Sequence, residues 1–400
     1  MGLLACLLVW ATLAAAPARG ASDPAPGVAR LSFIQSGSVV VTHDGAAAAD
    51  GTVNAPLVPG DVLATADAST RAEIQLDGFT SVRLGGGVRA RIVSNDARRP
   101  RQISVTAGLV ELAVLRGSDL ATEIVAPLVT LRTHYAGDYR ISVETDGATS
   151  VTVRSGQTDV VTPRRTYTVV TGQTLIARGD AADPSVVFAK AIPRDSFDDF
   201  NGDRDRTLLG ALNGDTHVPA SIAGYDDLDA YGSWTGVDSY GQAWVPDQSA
   251  GWAPYRDGQW SYAGAYGLTW VGNEPWGWVP YHYGRWIYAR NRWCWYPPSL
   301  SAVPIWAPAL VGFFGYGTGP FGYSGLGWVP LAPGEAYYPA YPWYWYAGIP
   351  AVPRHSYPVP APPPKRVRHR GPPVRMYPLA TAFRNAQFGG ASAVGAVAID

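Results

Sequence analysis

Asp199, Asn201, Asp203 and Asp205 recur at every second position, the spacing with which a calcium loop offers oxygen ligands. The sixth position of such a loop needs glycine and here is Arg204; the twelfth needs a bidentate carboxylate and here is Gly210. The stretch therefore reads as a solvated acidic and basic helix face, not a metal site. Gly317, Gly319 and Gly322 have the outline of a dinucleotide loop. Pro320 interrupts them and no strand-to-helix unit surrounds them, so no nucleotide cofactor is expected. The histidines at 43, 134, 217, 282, 355 and 369 lack metal-ligand spacing, and His282 reads as a surface or packing residue. Asp257 and Glu274 are the carboxylates a glycan-active enzyme would use. No catalytic constellation converges on them, and the chain reads as non-enzymatic, without cofactor or metal.

Aromatic rings are the remaining chemistry. Fourteen of the fifteen tryptophans lie between Trp234 and Trp345. Such a segment is either a small aromatic-cored β module or a surface on which sugar rings stack. GWAPYRDGQW at 251–260 and GWVPYHYGRW at 277–286 agree at six of ten positions and start 26 residues apart, and GWVP returns at 327–330. Asp257-Gly258 is a hairpin signal and Tyr283-Gly284 holds the same place in the second copy. This predicts structural aromatic pairs, Tyr255 across from Trp260 and Tyr281 across from Trp286, with Pro254 and Pro280 on outward edges. Trp276 and Trp278, like Trp293 and Trp295, would each share a strand face. Trp252 and Trp278, next to glycine at strand starts, are the candidate glycan-stacking residues. The expected unit is a compact stack of short hairpins.

The elements that carry these residues are mostly strands. From 28 to 180, apolar residues alternate through Ser38–Val41, Ala72–Leu76, Ile103–Val105, Val110–Val114, Tyr139–Val143 and Ser150–Val153. Turn pairs stand at Asp77-Gly78, Gly85-Gly86 and Asp146-Gly147. A period of two predicts strands buried on one face and solvated on the other, with Ile141 and Val143 inward, in an antiparallel sandwich or β-roll. Pro193, a Ser196-x-x-Asp199 capping box and Phe197, Phe200, Leu208 and Leu212 predict a helical connector over 193–215. Residues 1–20 read as a secretory leader, without a membrane span after its removal. Its loss leaves Cys294 as the one mature cysteine, expected to be buried. Residues 339–378 form a proline-rich basic linker and 379–400 an Ala/Gly-rich tail, with the linker expected to be disordered. A net charge of −1 argues against nucleic acid as partner.

Two resemblances follow. Gly60-Asp61-Val62, Thr70-x-Ala72-x-Ile74-x-Leu76-x-Gly78, Val105-x-x-Gly108-x-Val110, Gly137-Asp138-Tyr139-Arg140-Ile141, Val153-x-x-Gly156 and Val170-Thr171-Gly172-Gln173 together resemble a FecR-like domain. That family lies outside the inner membrane and relays ligand occupancy of a transporter to a sigma factor. The family's cytoplasmic anti-sigma segment and membrane span are not expected ahead of this domain. Gly224-Tyr225-Asp226-Asp227-Leu228-Asp229, Tyr231-Gly232-x-Trp234, the GW-x-PY-x-x-G-x-W units, Arg292-Trp293-Cys294-Trp295, Trp306–Val311 and Gly327–Leu331 resemble, over about 195–340, the tryptophan-rich domain of unknown function that follows FecR-like domains in exported bacterial proteins. The expected molecule is mainly β: a FecR-like β-sandwich or β-roll (28–180), the connector, and an aromatic-cored hairpin repeat domain (224–338). The expected role is that of an exported structural or interaction protein of the periplasm or envelope. Its partner would be an envelope glycan or another envelope protein. Carbohydrate or peptidoglycan binding and extracytoplasmic signalling are the alternatives.

Overall fold

The computed structural model describes residues 27–335 apart from 44–45, 97–98, 215–216, 239, 250, 264–265 and 317–324, together with 337 and 395–398. The leader, the linker at 339–378, most of the tail and the Gly317–Gly322 loop lie outside the described residues.

The alternating segments build two facing sheets that share one strand. The first runs from the edge strand Ser185–Lys190 through Gln173–Arg178, Thr149–Ser155, Gly137–Val143, the second half of Arg101–Val114, Thr80–Leu84, Arg71–Gln75 and Ala29–Gln35 to Pro56–Leu57. The second runs Ala49–Asp50, Val40–Thr42, Val62–Ala64, Arg89–Ser94, the first half of Arg101–Val114, Thr122–Val125, Thr130–Thr133, Gln157–Val161, Thr166–Val170. Thr122–Val125 pairs in parallel with Arg101–Val114, the one departure from antiparallel pairing among the described residues. The two runs expected at Ile103–Val105 and Val110–Val114 are one strand that passes between sheets at Gly108. Its φ is +89° and a Cβ there would sit 2.5 Å from the Gly87 carbonyl oxygen, so glycine is needed at the corner. Ile141 and Val143 face inward as predicted, in a core with Leu31, Ile74, Val82, Leu112 and Val151.

The outer face of the first sheet departs from the expectation of a solvated face. Its register lines up Glu73 with Arg83, Arg83 with Glu111, Glu111 with Arg140, and Arg140 with Thr152. This row of alternating acidic and basic residues is buried, because a helix lies over it. That helix, α1 (Ser196–Leu212), turns Phe197, Asp198, Asn201 and Leu208 toward the protein. Arg83 donates to Glu73 at 2.9 Å, to the Asn201 carbonyl at 2.9 Å and to Asp205 at 2.6 Å. Arg140 donates to Asp195 and Asp198, and Arg154 to Asp198, at 2.7–2.8 Å. Burial alone would neutralise Glu73, but Arg204 and Arg83 outweigh it and hold this carboxyl down at about 2.

The same contacts move the cap. Asp195, not Ser196, is the N-cap and accepts from the Phe197 and Asp198 amides, while the Asp198 carboxylate accepts from the Asp195 amide. The arginines of the sheet fix Asp198, so the box closes one residue earlier than the Ser196-x-x-Asp199 pattern suggests. Asp199 and Asp203 face solvent while Asn201 and Asp205 face the sheet. A helix turns about 100° per residue, so the four side chains diverge and do not converge on an ion.

Removing one member of a buried pair leaves an uncompensated charge, at a cost of about 3–5 kcal/mol. Arg83→Ala is expected to lower unfolding stability by that amount in urea titration, whereas exposed Arg206→Ala changes it little.

Candidate functional site: the aromatic repeat and its junction

The repeat is threefold and its unit begins at glycine. Gly232, Gly258 and Gly284 stand 26 residues apart, each two residues before a tryptophan. In the three hairpins that follow, the register sets Trp234 against Trp244, Trp260 against Trp270 and Trp286 against Trp295. The second indole of each pair folds back onto the glycine. A Cβ would lie 2.5 Å from the Trp244 ring at Gly232, 2.7 Å from Trp270 at Gly258 and 2.7 Å from Trp295 at Gly284. A fourth hairpin, Val311–Tyr316 with Gly325–Pro330, pairs Phe313 with Trp328 and adds Gly395–Ala398 at its edge.

This geometry corrects the predicted pairs. Tyr255 is not across from Trp260: it sits in a turn with φ +59°, and the hairpin begins only at Gly258. Tyr281 is not across from Trp286, because Trp278–His282 is a short helix. Pro280 lies in its first turn, where a missing N–H costs nothing, and both Pro254 and Pro280 are buried instead of on an edge. Trp276 and Trp278 likewise share no strand, whereas Trp293 and Trp295 do share a face, with Cys294 buried on the other.

All four of Tyr255, Trp260, Tyr281 and Trp286 are nevertheless buried. The two repeat tyrosines pack on each other with ring centroids 4.7 Å apart, and the Tyr255 hydroxyl donates to the Tyr281 carbonyl at 2.8 Å. Trp260 meets Trp270 and Trp328 edge to face at 5.3 and 5.4 Å. The indole N–H groups cap loop carbonyls: Trp244 on Leu228, Trp286 on Pro280, Trp295 on Tyr283 and Trp328 on Tyr255, at 2.8–3.1 Å. Irregular backbone that no ladder reaches is satisfied this way.

The candidate glycan-stacking residues turn inward. Trp278 is 1% exposed, packed against His282 and Trp306. Trp252 is half-buried between Trp276 and Trp286, with its N–H donated to Glu274 at 3.0 Å. That bond and burial occupy Glu274, whose carboxyl is pushed up, while exposed Asp257 accepts from Asn273 at 2.6 Å. His282 is enclosed, bonded to the Ala307 carbonyl at 2.7 Å, and burial pushes its imidazole down to about 3. Burial pushes the Cys294 thiol up.

Sequence reasoning missed the residues that dock this unit on the sandwich. Arg30 reaches across to bind Asn54 at 2.9 Å, Gln75 at 3.2 Å, Asp227 at 2.5 Å and the Pro275 carbonyl at 3.3 Å. Asn54 in turn donates to the Glu274 and Pro275 carbonyls. Gly224, with φ +81°, makes room, since a Cβ would sit 2.4 Å from the Arg30 guanidinium. Val28 and Val58 from the sandwich join the aromatic core. The Gly-x-Trp spacing could have revealed the hairpins; nothing local marks Arg30.

Residues 225–335 match a family of unknown function, DUF6600. No curated protein matches the chain. Two crystal structures of a "putative anti-sigma factor" from Parabacteroides distasonis ATCC 8503 are similar at 13% and 12% identity, each with a TM-score of 0.29. They cover 38% and 40% of this chain, and the chain spans 64% and 68% of theirs. Among the described residues no helix is long and apolar enough to cross a membrane.

With both rings inside the fold, Trp278→Ala should cost about 3–5 kcal/mol and Trp252→Ala less. The double variant is then expected to melt well below wild type. A melting curve unchanged by the pair would restore them as surface platforms.

Proposed function

We propose that this chain is a non-enzymatic, exported envelope protein in which the aromatic repeat is a rigid interaction module fixed to the sandwich. The observation that carries this reading is the use of the rings. Trp244, Trp276, Trp278, Trp286 and Trp295 are all fully buried, so the tryptophans are spent on shaping the module. Export rests on the apolar leader and its small-residue cleavage site before Ala21.

Carbohydrate binding is the second reading. Two exposed rings on the repeat favour it, Tyr231 at 40% and Tyr240 at 36%, the latter edge-on to Tyr296 at 5.9 Å. The FecR-like residue order supports extracytoplasmic signalling as a further alternative; there Asp61 serves as a turn residue, accepting from the Val58 amide at 2.9 Å.

N-terminal sequencing of protein from the extracytoplasmic fraction should begin at Ala21; intact Met1 in the cytoplasm would contradict export. Sedimentation with purified peptidoglycan separates the two binding modes. A glycan binder loses retention in Tyr240→Ala with its melting temperature unchanged, and a protein-interaction module shows no retention in wild type.

A further inference from the structure

Beneath α1 there are more carboxyl groups than guanidinium groups. The sheet supplies Glu73, Glu111 and Asp138 with Arg71, Arg83, Arg140 and Arg154. The helix and its cap supply Asp195, Asp198 and Asp205 with Arg204. Asp226 approaches Arg204 at 3.7 Å from the segment beyond the helix. Asp199, Asp203 and Arg206 lie on the exposed side.

Arginines satisfy Glu73, Asp195 and Asp198 directly. Asp205 accepts from Arg83 at 2.6 Å as well, and burial pushes its carboxyl up. Glu111 is fully buried, and its Oε1 has no hydrogen-bond partner; it lies 3.7 Å from Arg83 Nη1. That Nη1 donates instead to the Asn201 carbonyl of α1 at 2.9 Å. Asn201 is itself 2% exposed with neither side-chain polar atom bonded. One guanidinium thus stands between a helix carbonyl and a carboxyl that would outcompete it once charged.

We propose that α1 is a proton-held latch: it stays docked while Glu111 is neutral and disengages when Glu111 ionises and draws Arg83 off the Asn201 carbonyl. No group is transferred except the Glu111 proton, which passes to solvent. Burial, with Asp138 alongside, pushes Glu111 up to about 8. A carboxyl raised in the folded state stabilises docking fully below its unfolded value, and that stabilisation is lost as pH rises through about 8. α1 joins the sandwich to the aromatic unit, so its release would free the connection between them while Arg30 keeps its own contacts.

Hydrogen exchange of the full mature chain tests this. After correction for intrinsic rates, protection of the amides around Asn201 to Leu208 should fall by more than about tenfold between about pH 6 and about pH 9.5. Amides of the hairpins that pair Trp234 with Trp244 and Trp286 with Trp295 should not change. Glu111→Gln, which keeps the shape without the charge, should abolish the fall. Equal protection at both pH values, or a fall that persists in Glu111→Gln, overturns the proposal. Should that variant fail to fold, carbon-13 titration of the Glu111 carboxyl in the wild-type chain decides: ionisation in step with α1 opening supports the latch, and a carboxyl already charged at about pH 6 refutes it.

Discussion

The row Glu73–Arg83–Glu111–Arg140 is the constraint on which the rest of the molecule rests. Ion pairs such as Arg83–Glu73 attract across adjacent strands, but taking each ion out of water costs several kcal/mol unless its own donors and acceptors are met. The sheet cannot meet them alone. α1 supplies what is missing: the Asn201 carbonyl and Asp205 for Arg83, Asp198 for Arg140 and Arg154, and Arg204 for Glu73. Geometry is the return on this arrangement. An apolar helix could slide over an apolar sheet, whereas directional bonds to named strands leave one docking position.

From that position the chain enters the aromatic unit along a defined path. Arg204 contacts Asp226 while Arg30 takes Asp227, so two adjacent carboxylates are held by guanidiniums from the helix and the sandwich. Gly78 backs onto Ala220, where no side chain would fit. The aromatic unit then uses a different physics. Its strands are short and its loops irregular, so large rings supply the buried area, and indole N–H groups supply hydrogen bonds to carbonyls that a longer ladder would have satisfied. Glycine and tryptophan are coupled in this design: the missing Cβ at 232, 258 and 284 is the space the second indole occupies.

Much of this was legible in the chain. Alternation of apolar residues located the strands and the inward Ile141 and Val143, since a strand places every second side chain on one face whatever lies around it. The Trp-rich composition and the 26-residue recurrence marked an aromatic repeat, and Phe197 and Leu208 marked a buried helix face. These are local or periodic properties, carried by the order of the residues alone.

What sits opposite each residue is another matter. Glu73, Glu111 and Arg140 occupy the polar positions of an alternating pattern and read as solvated, because alternation reports two faces but not what covers the second. Tyr255 and Tyr281 read as strand partners of Trp260 and Trp286 because Asp257-Gly258 and Tyr283-Gly284 carry a hairpin signal; close packing of the two repeat copies against each other makes a buried turn at Tyr255 and a short helix at Trp278–His282 instead. Trp252 and Trp278 read as exposed platforms for the same reason. Strand pairing over tens of residues and the docking of one unit on another set these environments. Residue order alone sets the periodic elements; the packing of sheet, helix and hairpins against one another sets which faces meet, and therefore which charges and which rings leave water.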